Sequence, residues 1–176
     1  MKMLRYPIIA LVIGWILGAV FTKLLLPYLE KKQFKQFVRE VGPQSHLSKT
    51  GTPSMGGLAI IGASVLASAG VGLAAGVADG WHLVVILLVM VLFGCIGFID
   101  DYEKAIKKNN AGISPKQKII LQFVFSGAFA IYAYLYSGFG TVPGSAVWIP
   151  FVDRYIDFGL LYIPFIIFVM IAFSNA

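Results

Sequence analysis

The sequence predicts an all-α integral membrane protein with five transmembrane helices, the N-terminus outside, and a short hairpin on the outer (periplasmic) face. Three observations carry this prediction. Of 176 residues, 59% are hydrophobic and only 12% charged, against about 25% charged in soluble domains; mean hydropathy is +0.84. The apolar residues gather into five runs, each near the roughly 20 residues a helix needs to cross the hydrocarbon core. Lysine and arginine crowd into alternate connections between those runs, the pattern that sets membrane orientation.

The first run, Pro7–Leu29, follows Lys2 and Arg5 and could be mistaken for a signal peptide. It continues without a small-x-small cleavage site and so reads as a retained span. Gly14 and Gly18 form a GxxxG, which predicts a close helix-packing face. Lys23 lies near the end, where it can snorkel to the interface. The second run, Gly57–Ala78, is rich in Gly, Ala and Ser, again suited to close packing. The third is Gly80–Ile99, the fourth Ile119–Ser137 and the fifth Phe158–Ala176. Between the last two, Pro143-Gly144 and then VWIPFV predict the hairpin, with Trp148 and Tyr155 as interfacial anchors. All five runs belong to one membrane domain.

Lys31, Lys32, Lys35, Arg39 and Lys49 fill the first connection; Lys104, Lys107, Lys108, Lys116 and Lys118 fill the third. Ten bases thus share one face, against Lys2, Arg5 and Arg154 on the other. The first and third connections are therefore read as cytoplasmic. The net charge of +6 is juxtamembrane and facing anionic lipid, so no nucleic-acid partner is implied. The single cysteine, Cys95, lies inside an apolar run and allows no internal disulfide. After Ala176 there is no charged flank, so the fifth run reads as cut short at the membrane surface.

Three polar clusters fall on the cytoplasmic face. In SHLSKTGTPSMGG, Ser45 to Gly57, Thr52 is placed to cap the second helix and Pro53 to begin it. Such a helix start attracts phosphate, with Lys49 beside it and His46 before it. The plainer reading is a capped loop whose bases meet lipid, with His46 merely solvated. In GFIDDYEK, Asp100 and Asp101 end the third run. At a helix C-terminus the dipole disfavours carboxylates, and adjacent like charges add repulsion. An i,i+4 pair with Lys104 is the plainer explanation, worth about 0.3–0.5 kcal/mol if exposed. A divalent cation offsets the repulsion better, and Mg2+ is held by one or two carboxylates plus substrate phosphates. In GISPKQK, Ser114 and Gln117 fit a capping box with Pro115 at the first helical position. Lys116 and Lys118 follow, explained equally by topology or by a bound polyanion. Metal, lysines and positioning are the parts that phosphoryl transfer requires.

HLSKTGTPSMGG, GFIDDYEK and GISPKQK, in this order between spans, resemble the phospho-N-acetylmuramoyl-pentapeptide transferases, among the polyprenyl-phosphate N-acetylhexosamine-1-phosphate transferases. The resemblance covers essentially the whole chain. It implies transfer of phospho-N-acetylmuramoyl-pentapeptide from UDP-MurNAc-pentapeptide to undecaprenyl phosphate, giving lipid I and UMP for peptidoglycan synthesis. The setting implied is the bacterial inner membrane, with the active face cytoplasmic and Mg2+ as cofactor. By the same resemblance, Asp100 and Asp101 are catalytic and metal-binding, and Lys49 is catalytic. His46, Thr52, Lys104, Lys116 and Asn175 are candidates for binding substrate or phosphate. The family continues beyond SNA into an asparagine-x-x-aspartate-glycine run, a further metal-binding aspartate and a histidine-rich loop, so the missing C-terminal half is itself an expected partner. A homodimer is compatible. Alternatives are a related UDP-N-acetylglucosamine polyprenyl-phosphate transferase, or a non-enzymatic small membrane transport subunit using the acid pair as a cation site. The latter predicts polar residues at mid-span; the sequence offers mainly Gln122, near the start of the fourth run, and His82, at an outer edge, a poor ion pathway.

Overall fold

The computed structural model describes residues 2–31, 55–76, 80–107, 112–138 and 140–175. They form α1 (Lys2–Lys31), α2 (Gly57–Ala74), α3 (Gly80–Lys107), α4 (Pro115–Tyr136), β1 (Ala146–Ile149), β2 (Arg154–Asp157), one 3-10 turn (Gly159–Leu161) and α5 (Tyr162–Asn175). Helices α1 to α4 supply four segments long and apolar enough to cross a membrane, and the chain is a multi-pass membrane protein. The chain divides into two compact units, Met1–Ser114 and Pro115–Ala176.

In the first unit α2 packs against both α1 and α3. Its buried residues, Ala59, Ala63, Ala67 and Val71, recur every fourth position and so form one stripe. That stripe meets the predicted GxxxG face: a Cβ on Gly14 would touch Ala67 Cβ at 3.5 Å, and one on Gly18 would lie 3.9 Å from Ala63 Cβ. Small residues on both sides let the backbones approach, which is what drives association where lipid is as apolar as the side chains. Most large apolar side chains of α1, including Leu11, Trp15 and Leu24, remain exposed, as helices surrounded by lipid require.

Several expected boundaries are corrected. α2 ends at Ala74 rather than Ala78: Ala75 and Gly76 turn, with Gly76 at φ +60°, the left-handed glycine that commonly follows a helix. α3 does not stop with its apolar run at Ile99 but continues to Lys107. The DDYEKAIK segment sustains it through two i,i+4 ion pairs, Asp100–Lys104 and Glu103–Lys107. Its acid pair therefore lies two turns inside the helix, not at its C-terminus. α4 begins at Pro115, four residues earlier than its apolar run, and Pro115 takes the first helical position as expected. The fifth helix is shorter than the run that predicted it. A 3-10 turn precedes it and α5 itself has 14 residues, so it is an apolar helix below the length of the other four.

In the second unit α4 packs on α5. The predicted hairpin is present: β1 and β2 pair antiparallel, with Val147 opposite Ile156 and Trp148 opposite Tyr155. Gly144 admits no side chain, because a Cβ there would stand 2.5 Å from the Tyr134 carbonyl oxygen and 2.7 Å from that of Ala133. Stacked Phe158 and Phe165 rings, 5.0 Å apart, join the hairpin exit to α5.

Candidate functional site

The third helix brings parts of all three polar clusters together within the first unit. Asp100 is the hub. Its Oδ2 accepts from Lys104 Nζ at 2.6 Å and its Oδ1 from the Ile113 backbone N–H at 3.1 Å. Asp101 Oδ2 accepts from the Met55 backbone N–H at 3.2 Å. One carboxylate thus holds the start of GISPKQK and the other the end of SHLSKTGTPSMGG. Successive helical residues point about 100° apart, which is why adjacent acids can grip two different segments.

Each grip depends on an unusual backbone. Met55 is buried yet has φ +69°, a conformation rare outside glycine. Its N–H turns toward Asp101 while its carbonyl accepts from Leu58 N–H to start α2. Gly112, at φ +56°, passes so close to Asp100 that a Cβ would stand 3.0 Å from Asp100 Cγ, 2.9 Å from Lys104 Cε and nearer still to Oδ1. Glycine is the residue that tolerates both the angle and the approach.

This geometry revises the electrostatic argument for the acid pair. The N-cap of α2 is Gly56, with no side-chain cap; Thr52, expected in that role, lies outside the described residues, as do His46 and Lys49. Asp101 reaches the α2 start from another helix and places a carboxylate where the dipole favours one. The plainer expectation, an Asp100–Lys104 pair, is also realised. Lys104 is 38% exposed and Asp100 15%, so the pair itself adds little stability.

Could these acids hold a divalent cation? Among the described residues no group of three metal-ligating side chains gathers. Carboxylates are the hard oxygen donors that Mg2+ takes alongside substrate phosphates; here three of the four oxygens already accept from Lys104, Ile113 and Met55.

Lys116 and Asn175 belong to the second unit. Lys116 is exposed in the first turn of α4. Asn175 ends α5 inside a polar network that the sequence reading did not foresee. Asn175 Nδ2 donates to the Ile171 carbonyl and to Gln122 Oε1, both at 2.8 Å. Gln122 Nε2 donates to Ser174 Oγ at 2.5 Å, and Ser126 Oγ donates to the Gln122 carbonyl at 2.6 Å. Gln122 is 1% exposed and Ser126 0%, so the network is a polar clamp between α4 and α5. Its sequence signal was there to use: a glutamine and a serine four apart in an apolar run share one helix face. The backbone donors of Met55 and Ile113 left no comparable signal.

The family model described as Glycosyl transferase family 4 matches residues 83–176, more than half of the chain and inclusive of both acids. Phospho-N-acetylmuramoyl-pentapeptide-transferase signature 1 matches residues 49–61, from Lys49 through Met55 into α2. Among curated relatives named phospho-N-acetylmuramoyl-pentapeptide-transferase, one from Clostridium perfringens (strain 13 / Type A) is 39% identical over 169 residues, 96% of this chain and 50% of the relative. One from Staphylococcus aureus (strain MSSA476) is 41% identical over 97% of this chain and 51% of its own length. One from Thermoanaerobacter sp. (strain X514) is 36% identical over 99% and 52%. The chain spans about half the length of the curated relatives it matches. With the greater part of its length under one family model, the chain belongs to glycosyl transferase family 4.

Proposed function

We propose that this chain supplies part of the catalytic face of a membrane glycosyl-1-phosphate transferase acting in peptidoglycan synthesis. The substrates in this reading are UDP-MurNAc-pentapeptide and undecaprenyl phosphate. A lipid-phosphate oxygen attacks the sugar-bearing phosphorus, the bond to the UMP phosphate breaks, and UMP leaves, giving lipid I. The observation that carries the reading is the double tether at Asp100 and Asp101, which fixes two motif segments to one turn of α3.

In this reading Asp100 and Asp101 bind Mg2+, which when bound neutralises diphosphate charge. Lys104 and Lys116 meet phosphate oxygens as point charges. Lys49, with His46 and Thr52, acts from the first loop, and Asn175 from the end of α5. The tethers hold Met55 and Ile113 in place before substrate arrives, so less ordering remains at the moment of reaction. The ten bases of the first and third connections support a cytoplasmic active face. A homodimer is compatible with this arrangement.

The test co-expresses the chain with the C-terminal half of the Staphylococcus aureus relative and measures UMP release in membranes. Release that depends on Mg2+ and on both substrates, and that falls at least 100-fold in Asp100→Asn and Asp101→Asn, supports the reading. Equal release by those variants refutes the site assignment. A preference for UDP-N-acetylglucosamine refutes the substrate assignment.

A further inference from the structure

The β1–β2 hairpin has a composition its fold does not explain. Two four-residue strands are marginal alone in water, so a surface is needed to cover them. Each face carries an apolar pair and one charged residue: Trp148 and Tyr155 share a face with Asp157, Val147 and Ile156 a face with Arg154, and Trp148, Tyr155 and Ile156 are exposed. Turn tips are normally Gly, Asn, Asp, Ser or Pro; here Pro150 is followed by Phe151, 99% exposed, and Val152, also exposed.

Asp153, Arg154 and Asp157 are exposed, but both acids already have hydrogen-bond partners at the hairpin. Trp148 Nε1 donates to Asp153 Oδ1 at 3.1 Å. Asp157 Oδ1 accepts from Ser145 Oγ at 2.6 Å and from Gly159 N–H at 2.8 Å. Groups already partnered cost less to bring toward an apolar phase.

We propose that the hairpin is a membrane-interface anchor. Phe151 and Val152 enter the acyl boundary of the leaflet where α4 ends, with Trp148 and Tyr155 at headgroup level. Continuity with the lipid-facing surface decides for lipid over protein. One residue separates β2 from the 3-10 turn, whose Leu160 and Leu161 are exposed and lead directly into α5. The hairpin therefore stays at the bilayer surface. Four residues of strand reach about 13 Å, more than the roughly 5–8 Å of headgroup in one leaflet. Aromatic side chains with a polar handle at mid-strand and the apolar Phe151 and Val152 at the tip, followed by Asp153 bonded back to Trp148, follow the order of the interface itself.

The test uses the full chain with Cys95→Ala and Phe151→Cys, carrying an environment-sensitive fluorophore. The protein is placed in vesicles of three parts phosphatidylcholine to one part phosphatidylglycerol. Lipids spin-labelled high on the acyl chain should quench the probe at least threefold more than aqueous iodide does. Quenching by iodide alone overturns the proposal. Shielding from both quenchers also overturns it, because a second copy or another polypeptide would then cover the tip. A label-free arm follows Trp148 after Trp15→Phe and Trp81→Phe. Brominated lipid should quench it, and Phe151→Asp with Val152→Asp should cut that quenching at least twofold. Unchanged quenching in that variant overturns insertion by the tip.

Discussion

Replacing Gly112 by alanine should release the segment after α3 from Asp100 while leaving the helices intact. Two costs add. Holding an L-residue at φ +56° costs about 1–2 kcal/mol. The new Cβ would also stand 3.0 Å from Asp100 Cγ, where carbon–carbon contacts settle near 3.5–4.0 Å. Asp100 must therefore withdraw by about 0.5 Å or more. The Ile113 N–H bond to Oδ1, now 3.1 Å, then passes the usual limit of about 3.2 Å. A bond to a charged acceptor contributes roughly 1.5–3 kcal/mol, and partial exposure brings this to the low end. The sum is about 2–4 kcal/mol, or roughly 30- to 1,000-fold in the tethered-to-released ratio at 1.4 kcal/mol per decade. Hydrogen exchange at the Ile113 amide, in detergent, reads that ratio directly. Protection should fall by that factor while amides within α2 change little. Gly112→Asn relieves part of the angle cost but not the clash, so it should protect little better than alanine. Because truncating Asp100 removes the clash, Gly112→Ala combined with Asp100→Ala should cost less than the two changes summed. Ile113 protection within threefold of the unsubstituted chain would refute the close-approach argument.

Asp101→Asn keeps an oxygen for Met55 N–H but loses the charge, so thermal unfolding should shift by only a few degrees while UMP release in the completed enzyme falls at least 100-fold. Gln122→Leu removes the bonds to Ser174 and Asn175 and should destabilise the second unit by about 1–2 kcal/mol, measured by unfolding in mixed micelles; a neutral result would show that the clamp is unnecessary. Ala67→Leu overpacks the contact with Gly14 and should cost about 1–3 kcal/mol, partly recovered by no substitution at Gly14, which has no side chain to shorten. Asp157 is held below the usual carboxylate value by the Ser145 hydroxyl and then the Gly159 amide. A depressed carboxyl stabilises the fold above its unfolded pKa, near 3.9, and that contribution is lost as pH falls through the lower folded value. Amide exchange at Gly159 should therefore stay protected above about pH 4 and lose protection below it; protection that increases on acidification would contradict the assignment.

The helical membrane architecture was legible because lipid imposes its rule on local sequence. A spanning helix must be apolar over its whole length, so runs such as Pro7–Leu29 declare themselves without a partner. The GxxxG face and the hairpin were legible for related reasons: glycine spacing and turn residues act over a few positions. Helix ends were not. α3 runs past Ile99 because ion pairs can continue a helix that apolarity no longer marks.

The site divides in the same way. Asp100 and Asp101 stood out by themselves, since two acids after an apolar run are costly and local composition shows it. What surrounds them came from tertiary structure. Met55 and Ile113 approach through backbone N–H groups, which every residue but proline carries and no sequence pattern distinguishes. Nothing in the sequence sets Gly112 apart from other loop glycines; only the fold places a carboxylate where its side chain would be. Sequence determined which segments enter the membrane and where charge concentrates, because solvation acts on each residue in turn. Tertiary structure alone decided that one acid steadies the start of α2 and its neighbour the loop beyond α3, because those contacts join residues 46 and 13 positions apart.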